Sequence, residues 1–93
     1  MNKQKIEKEH KKEFGRLIRA IRLERGMSIE EFAHELGIGR TTVDRLENGR
    51  NTPNYYTLSR LLLKGNIDIN SLLVKASTNT GYKDKIMKEK DTE

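Results

Sequence analysis

The sequence contains no cysteine and no tryptophan, a single proline and only 5% aromatic residues. Without cysteine, a disulfide framework and a thiolate zinc site are both excluded. No run of about 18 apolar residues occurs, so the sequence offers no membrane-spanning helix. The charged N-terminus also lacks the apolar segment of a secretory signal. We therefore expect a cytoplasmic protein that makes no contact with a membrane.

The sequence is rich in charged residues and contains comparatively few hydrophobic ones. Charged residues make up 35% of the 93 residues and hydrophobic residues 33%, which predicts one domain with a modest core. The net charge is +5 and the pI is about 9.6. Eight Arg and one Lys lie within residues 14–74, whereas lysine dominates both ends. This balance favours a polyanionic partner, and arginine has the planar donors that suit phosphates and guanine edges.

Apolar residues at helical spacing predict an all-α fold without strands. The first helix has its apolar face at Phe14, Leu17, Ile18 and Ile21. Ser28 and Glu31 fit a capping box, so a second helix begins at Ile29 and ends at Gly37. A third helix ends at Asn48–Gly49, and two more follow, whose inner positions are Tyr55, Leu58, Leu61, Leu62, Ile69, Leu72 and Leu73.

The periodic pattern divides the chain into three parts. Residues 13–74 hold the five predicted helices and form the domain. Residues 1–12 contain good helix formers but no apolar face, so we expect a flexible N-terminal extension. Residues 75–93 are small, polar or charged, and we expect a flexible tail with at most a turn or two of helix at residues 83–88.

The spacing between the second and third helices is typical of a helix-turn-helix. Ala33 is small where two such helices cross at about 90–120°, and Gly37 occupies the tight turn between them. Residues 14–74 resemble the Cro/repressor-type (XRE) helix-turn-helix family, which has a compact five-helix, lambda-repressor-like DNA-binding domain. The matching stretches are residues 21–28, 30–38 and 46–50.

The resemblance implies that the helix beginning near Arg40 is the recognition helix, which enters the major groove of DNA. By that resemblance the base-reading residues are Arg40, Thr41, Asp44 and Arg45. The residues expected at the DNA backbone are Thr42, Asn48, Arg50 and Asn51. Arg22 and Glu47 stand where the family has a partly buried ion pair that fixes the recognition helix. Ile29 departs from the pattern, because many members have a phosphate-binding glutamine there.

These expectations lead to a sequence-specific regulator of double-stranded DNA, with repression of a palindromic operator by a homodimer as the first hypothesis. Candidate dimer surfaces are residues 67–74 and the terminal extensions. One alternative is the antitoxin of a toxin–antitoxin pair, whose C-terminal tail binds a protein partner. Another is a protein-interaction module that has lost DNA binding. With two isolated histidines and no phosphate-binding loop, we expect no enzyme, no cofactor and no metal site.

Overall fold

Six α-helices form the part of the chain that the computed structural model describes, residues 3–89. In order they are α1 (Lys3–Glu24), α2 (Ile29–Leu36), α3 (Arg40–Glu47), α4 (Tyr55–Leu63), α5 (Ile69–Thr80) and α6 (Tyr82–Lys88). Residues 3–89 contain no strand, which confirms the all-α prediction. None of these helices is long and apolar enough to cross a bilayer.

The helix starts follow from side chains that accept backbone N–H groups. The Ser28 hydroxyl accepts the N–H of Glu31 at 3.0 Å, and the Glu31 carboxylate accepts the N–H of Ser28 at 2.8 Å. This reciprocal pair is the predicted capping box at the start of α2. The side chains of Asn54 and Asp68 each accept the N–H three residues further on, at 2.8 and 3.1 Å. Local capping therefore sets where α2, α4 and α5 begin.

One hydrophobic core joins the first five helices. α1 packs against α3, α5 and α6, α2 packs against α3, and α4 packs against α5. The buried apolar residues are Phe14, Ile18, Phe32, Ala33, Leu36, Val43, Leu46, Leu61, Ile67, Leu72 and Ala76. Because this set is small, a few large side chains with no exposure, such as Phe32 and Ile18, provide much of the buried area.

The two ends of the described chain are more helical than the sequence suggested. α1 already includes Lys3 and α5 continues to Thr80, where the sequence had indicated flexible extensions, whereas α6 agrees with the turn or two of helix expected at residues 83–88. The ring of His10 stacks on Tyr82 with centroids 4.3 Å apart, and Ala76 is completely buried. Neither segment shows an apolar face in its own sequence. The two segments contact each other in the fold, where α1 packs against α5 and α6. Residues 1–2 and 90–93 lie outside the described part.

α1 crosses the C-terminal end of α3 at very short range. A Cβ atom on Gly15 would overlap the Leu46 carbonyl oxygen and lie 2.8 Å from that of Glu47. Gly49 has a φ of +71°, and a Cβ there would lie 2.8 Å from the Cα of Lys12. Glycine at both positions allows two backbones to touch and fixes the end of α3 against α1.

Candidate nucleic-acid interface

A tight turn of three residues joins α2 to α3 and sets the angle between them. Gly37 adopts a left-handed conformation, with φ +73°, and its N–H donates to the Ala33 carbonyl at 2.8 Å. A side chain at Gly37 would collide with the guanidinium of Arg60. That guanidinium donates from Nε to the Leu36 carbonyl at 2.6 Å, so α4 caps the C-terminus of α2. A role for Arg60 was not predicted from the sequence, where the one indication was an arginine within the apolar pattern of α4.

The eight residues of α3 divide into an inner and an outer face. Val43, Leu46 and Glu47 are buried against the domain. The outer face holds the four residues expected to read bases, of which Arg40, Thr41 and Arg45 are exposed and Asp44 is half-buried. The helix therefore presents polar, donor-rich side chains to the surroundings while its apolar side holds it in place.

Arg22 of α1 and Glu47 of α3 form a bidentate ion pair inside the domain. Arg22 donates from Nε and Nη2 to the two carboxylate oxygens of Glu47, at 2.7 and 3.0 Å. The side chains are 8% and 4% exposed. The hydrogen bonds to Glu47 raise the pKa of the Arg22 guanidinium. A third donor, Nη1, reaches the Met27 carbonyl at 2.9 Å, so Arg22 also fixes the turn before α2.

Two of the expected base-reading side chains already have partners within the protein. Arg40 donates from Nε to the Glu30 carboxylate at 2.6 Å, and both side chains are more than half exposed. The hydrogen bond from Arg40 lowers the pKa of Glu30. Asn48 donates from Nδ2 to the Asp44 carbonyl at 2.9 Å and to its carboxylate at 3.3 Å. Asn48 therefore caps α3, whereas Arg45 stands exposed on the outer face.

Three of the four residues expected at the DNA backbone lie along one edge of α3, whereas Asn48 lines a second groove beside α1. Thr42, Arg50 and Asn51 line an open groove of about 650 Å³ between α3 and the start of α4. The same groove is lined by Lys11 of α1 and Tyr56 of α4, which sequence reasoning did not single out. The groove is polar and contains two cations, which suits a phosphate chain.

The start of α2 lacks the side-chain donor that the family pattern has there. Ile29 is half-buried and packs against the core together with Met27. The apolar side chain at this position thus extends the core. The first backbone N–H groups of α2 can still donate to a phosphate.

The comparisons with known proteins agree with this architecture. The family model described as Helix-turn-helix matches residues 18–72. The ImmF control region 10 kDa protein of Bacillus phage phi105 is 41% identical over 61 residues, which cover 66% of this chain and 68% of that protein. No solved structure gives a significant match. The chain therefore belongs to the Cro/repressor-type (XRE) helix-turn-helix family and is a DNA-binding transcriptional regulator.

Proposed function

We propose that this regulator is a repressor that binds a palindromic operator as a homodimer and reads base edges with α3. The division of α3 into a buried face and a polar outer face is the observation that carries the proposal. Arg40 and Arg45 each have the planar donors that bind O6 and N7 of guanine, a contact worth about 1–3 kcal/mol in discrimination. Thr41 suits a thymine methyl group, and Asp44 suits the N4 amino group of cytosine.

The phosphate contacts in this proposal come from Thr42, Asn48, Arg50 and Asn51. Thr42 lies on α3 and the other three come directly after it, and Thr42, Arg50 and Asn51 line the groove beside it. Such contacts set the position of the protein on the duplex without reading its sequence. Glu30 has a role as well, because its carboxylate accepts a hydrogen bond from Arg40 and competes with DNA for that guanidinium.

The homodimer follows from the small footprint of one recognition helix, since two half-sites multiply affinity and specificity. Within the expected dimer surface at residues 67–74, Ile67 and Leu72 are buried in the core of the chain itself. Leu73 and Val74 are 40% and 48% exposed, which leaves them free for a second copy. The exposed Leu63 of α4 adds to the apolar surface of this half of the domain.

Repression is the regulatory sign that a small DNA-binding domain achieves most directly, because occupying a promoter excludes the polymerase. The phage relative is named for a control region, which supports a regulatory site in DNA as the target. A reporter gene whose promoter carries the DNA site of this chain tests whether binding represses or activates transcription. Repression predicts lower reporter output when the chain is expressed, and higher output would contradict it.

The proposal is tested by selecting duplexes from a random library with the purified chain. We expect an inverted repeat whose half-sites lie about 10 base pairs apart, or a multiple of one helical turn. Titration of the enriched duplex, called the selected duplex below, should saturate at two chains per duplex. A scrambled duplex of the same composition is the control. Enrichment of a single asymmetric site bound by one chain would contradict the homodimer, and no enrichment at all would contradict base reading.

A further inference from the structure

A row of lysines occupies one face of α1 close to the candidate interface. Lys8, Lys11 and Lys12 stand at positions i, i+3 and i+4, so their side chains emerge on neighbouring turns of the same face. Among residues 3–89, none of the three forms an ion pair. Like charges at this spacing repel each other. This face of α1 therefore carries three lysine charges that no ion pair within residues 3–89 offsets.

This row lines an open groove of about 1040 Å³ between α1, the loop after α3, and α6. Arg50 adds a fourth cation to the groove, and Glu7 is the one acidic residue among its described lining residues. Lys11 also lines the smaller groove beside α3, together with Thr42 and Arg50. The positive surface thus continues without interruption from the edge of α3 onto α1.

The packing of α1 holds the row in a fixed position relative to the loop after α3. The backbone of Lys12 lies against Gly49, where a side chain would find no room. Two residues before Lys12, the His10 ring stacks on Tyr82 and its Nε2 lies 3.1 Å from the Ser77 hydroxyl. A row held in this way binds an anion without first having to order its backbone, which favours affinity.

We propose that Lys8, Lys11 and Lys12 bind a second stretch of DNA phosphate backbone, next to the stretch at Arg50 and Asn51. This inference rests on the proposed docking of α3. Lysine ammonium groups act as point charges toward phosphates and do not distinguish bases. α1 therefore adds affinity and salt dependence, whereas α3 supplies sequence preference. An acidic protein partner is the competing occupant of such a surface, but it would not explain why the row is continuous with the edge of α3.

The test is a salt series of fluorescence-anisotropy titrations with Lys8→Gln/Lys11→Gln, in which Lys12 is kept because its backbone packs against Gly49. The matched control is Lys64→Gln/Lys75→Gln, which removes the same charge from two exposed lysines outside both grooves. Each protein is titrated with the selected and the scrambled duplex at about 50 to 200 mM salt. Circular dichroism verifies that both variants retain the helices of the parent chain.

For Lys8→Gln/Lys11→Gln, the slope of log K against log salt should decrease in magnitude by about 1.8, because each lost phosphate contact removes about 0.9. At about 0.15 M salt this corresponds to roughly 30-fold weaker binding of both duplexes. The ratio of the two affinities should stay as in the parent chain. In an ethylation-interference experiment, the variant should no longer be sensitive to ethylation of the phosphates that lie beyond those contacted by Arg50.

A slope and an affinity equal to those of the Lys64→Gln/Lys75→Gln control would overturn the inference and make the row an ordinary solvated face. A change in the affinity ratio without a change in slope would also overturn it. If the parent chain itself shows no preference for the selected duplex, base reading by α3 fails. The slope comparison on the scrambled duplex still decides whether α1 binds phosphates.

Discussion

Replacing Glu47 with glutamine tests whether the buried ion pair anchors the recognition helix. Glutamine keeps the shape of the side chain but removes its charge, and it directs an NH₂ group toward the donors of Arg22. Those donors now lie 2.7 and 3.0 Å from the carboxylate, in a pair that is almost fully buried. Leaving one charge of such a pair unmatched costs about 3–5 kcal/mol. That is a large share of the roughly 5–15 kcal/mol by which a domain of this size is stable.

Thermal and urea unfolding measure this cost. For a domain of this length, a loss of about 3 kcal/mol lowers Tm by about 12–24 °C. Glu35→Gln is the matched control, because Glu35 is exposed on α2, and it should change stability by less than about 0.5 kcal/mol. Arg22→Met/Glu47→Leu should recover most of the loss, because an apolar pair of similar volume replaces both charges. A loss below about 1 kcal/mol for Glu47→Gln, which is typical of a surface pair, would refute the reasoning.

Three further predictions follow from single contacts. Glu30→Gln removes the carboxylate that pairs with Arg40 and should strengthen binding to the selected duplex by about two- to five-fold. An exposed ion pair is worth at most about 1 kcal/mol, which sets this range. Weaker binding in the titration would contradict the prediction. Gly15→Ala should destabilise the fold by about 1–3 kcal/mol in urea unfolding, because the new methyl group overlaps the backbone of α3. An unchanged urea midpoint would contradict that close approach. Hydrogen bonds from Arg16, and a weaker one from Asn79, hold the pKa of Glu13 at about 2 rather than 4.5. A depressed pKa means that the folded state favours the carboxylate, so this stabilisation is complete above pH 4.5 and disappears as the pH falls toward 2. Unfolding of Glu13→Gln should show a smaller loss of stability over this range, and an identical pH dependence would contradict the assignment.

The helix-turn-helix was predictable because its determinants are local in sequence. Ser28 and Glu31 are three residues apart and cap α2 by themselves. Gly37 ends that helix through its own left-handed backbone. The division of α3 into inner and outer residues also follows from helical periodicity alone, since Val43 and Leu46 share one face. Short-range rules of this kind need no knowledge of the rest of the fold.

The missed features depend on contacts between distant parts of the chain. The N-terminal part of α1 meets the C-terminal helices through contacts such as His10 on Tyr82, and these two residues are 72 positions apart in sequence. In the sequence, Gly15 is indistinguishable from any other glycine in a helix, because its contact with the backbone of α3 exists only in the folded chain. The pairing of Arg40 with Glu30 likewise requires the angle between α2 and α3. Periodicity in one segment does not contain this information.

Arg45→Ala gives the most direct test of the central claim that the outer face of α3 reads bases. The measurement is the ratio of affinities for the selected and scrambled duplexes, with Arg19→Ala as the control because Arg19 is exposed on α1. We predict that Arg45→Ala lowers this ratio by about 5- to 150-fold, the loss of one bidentate contact of about 1–3 kcal/mol. Arg19→Ala should leave the ratio unchanged. An Arg45→Ala ratio equal to that of the parent chain, in a folded variant, would contradict the account.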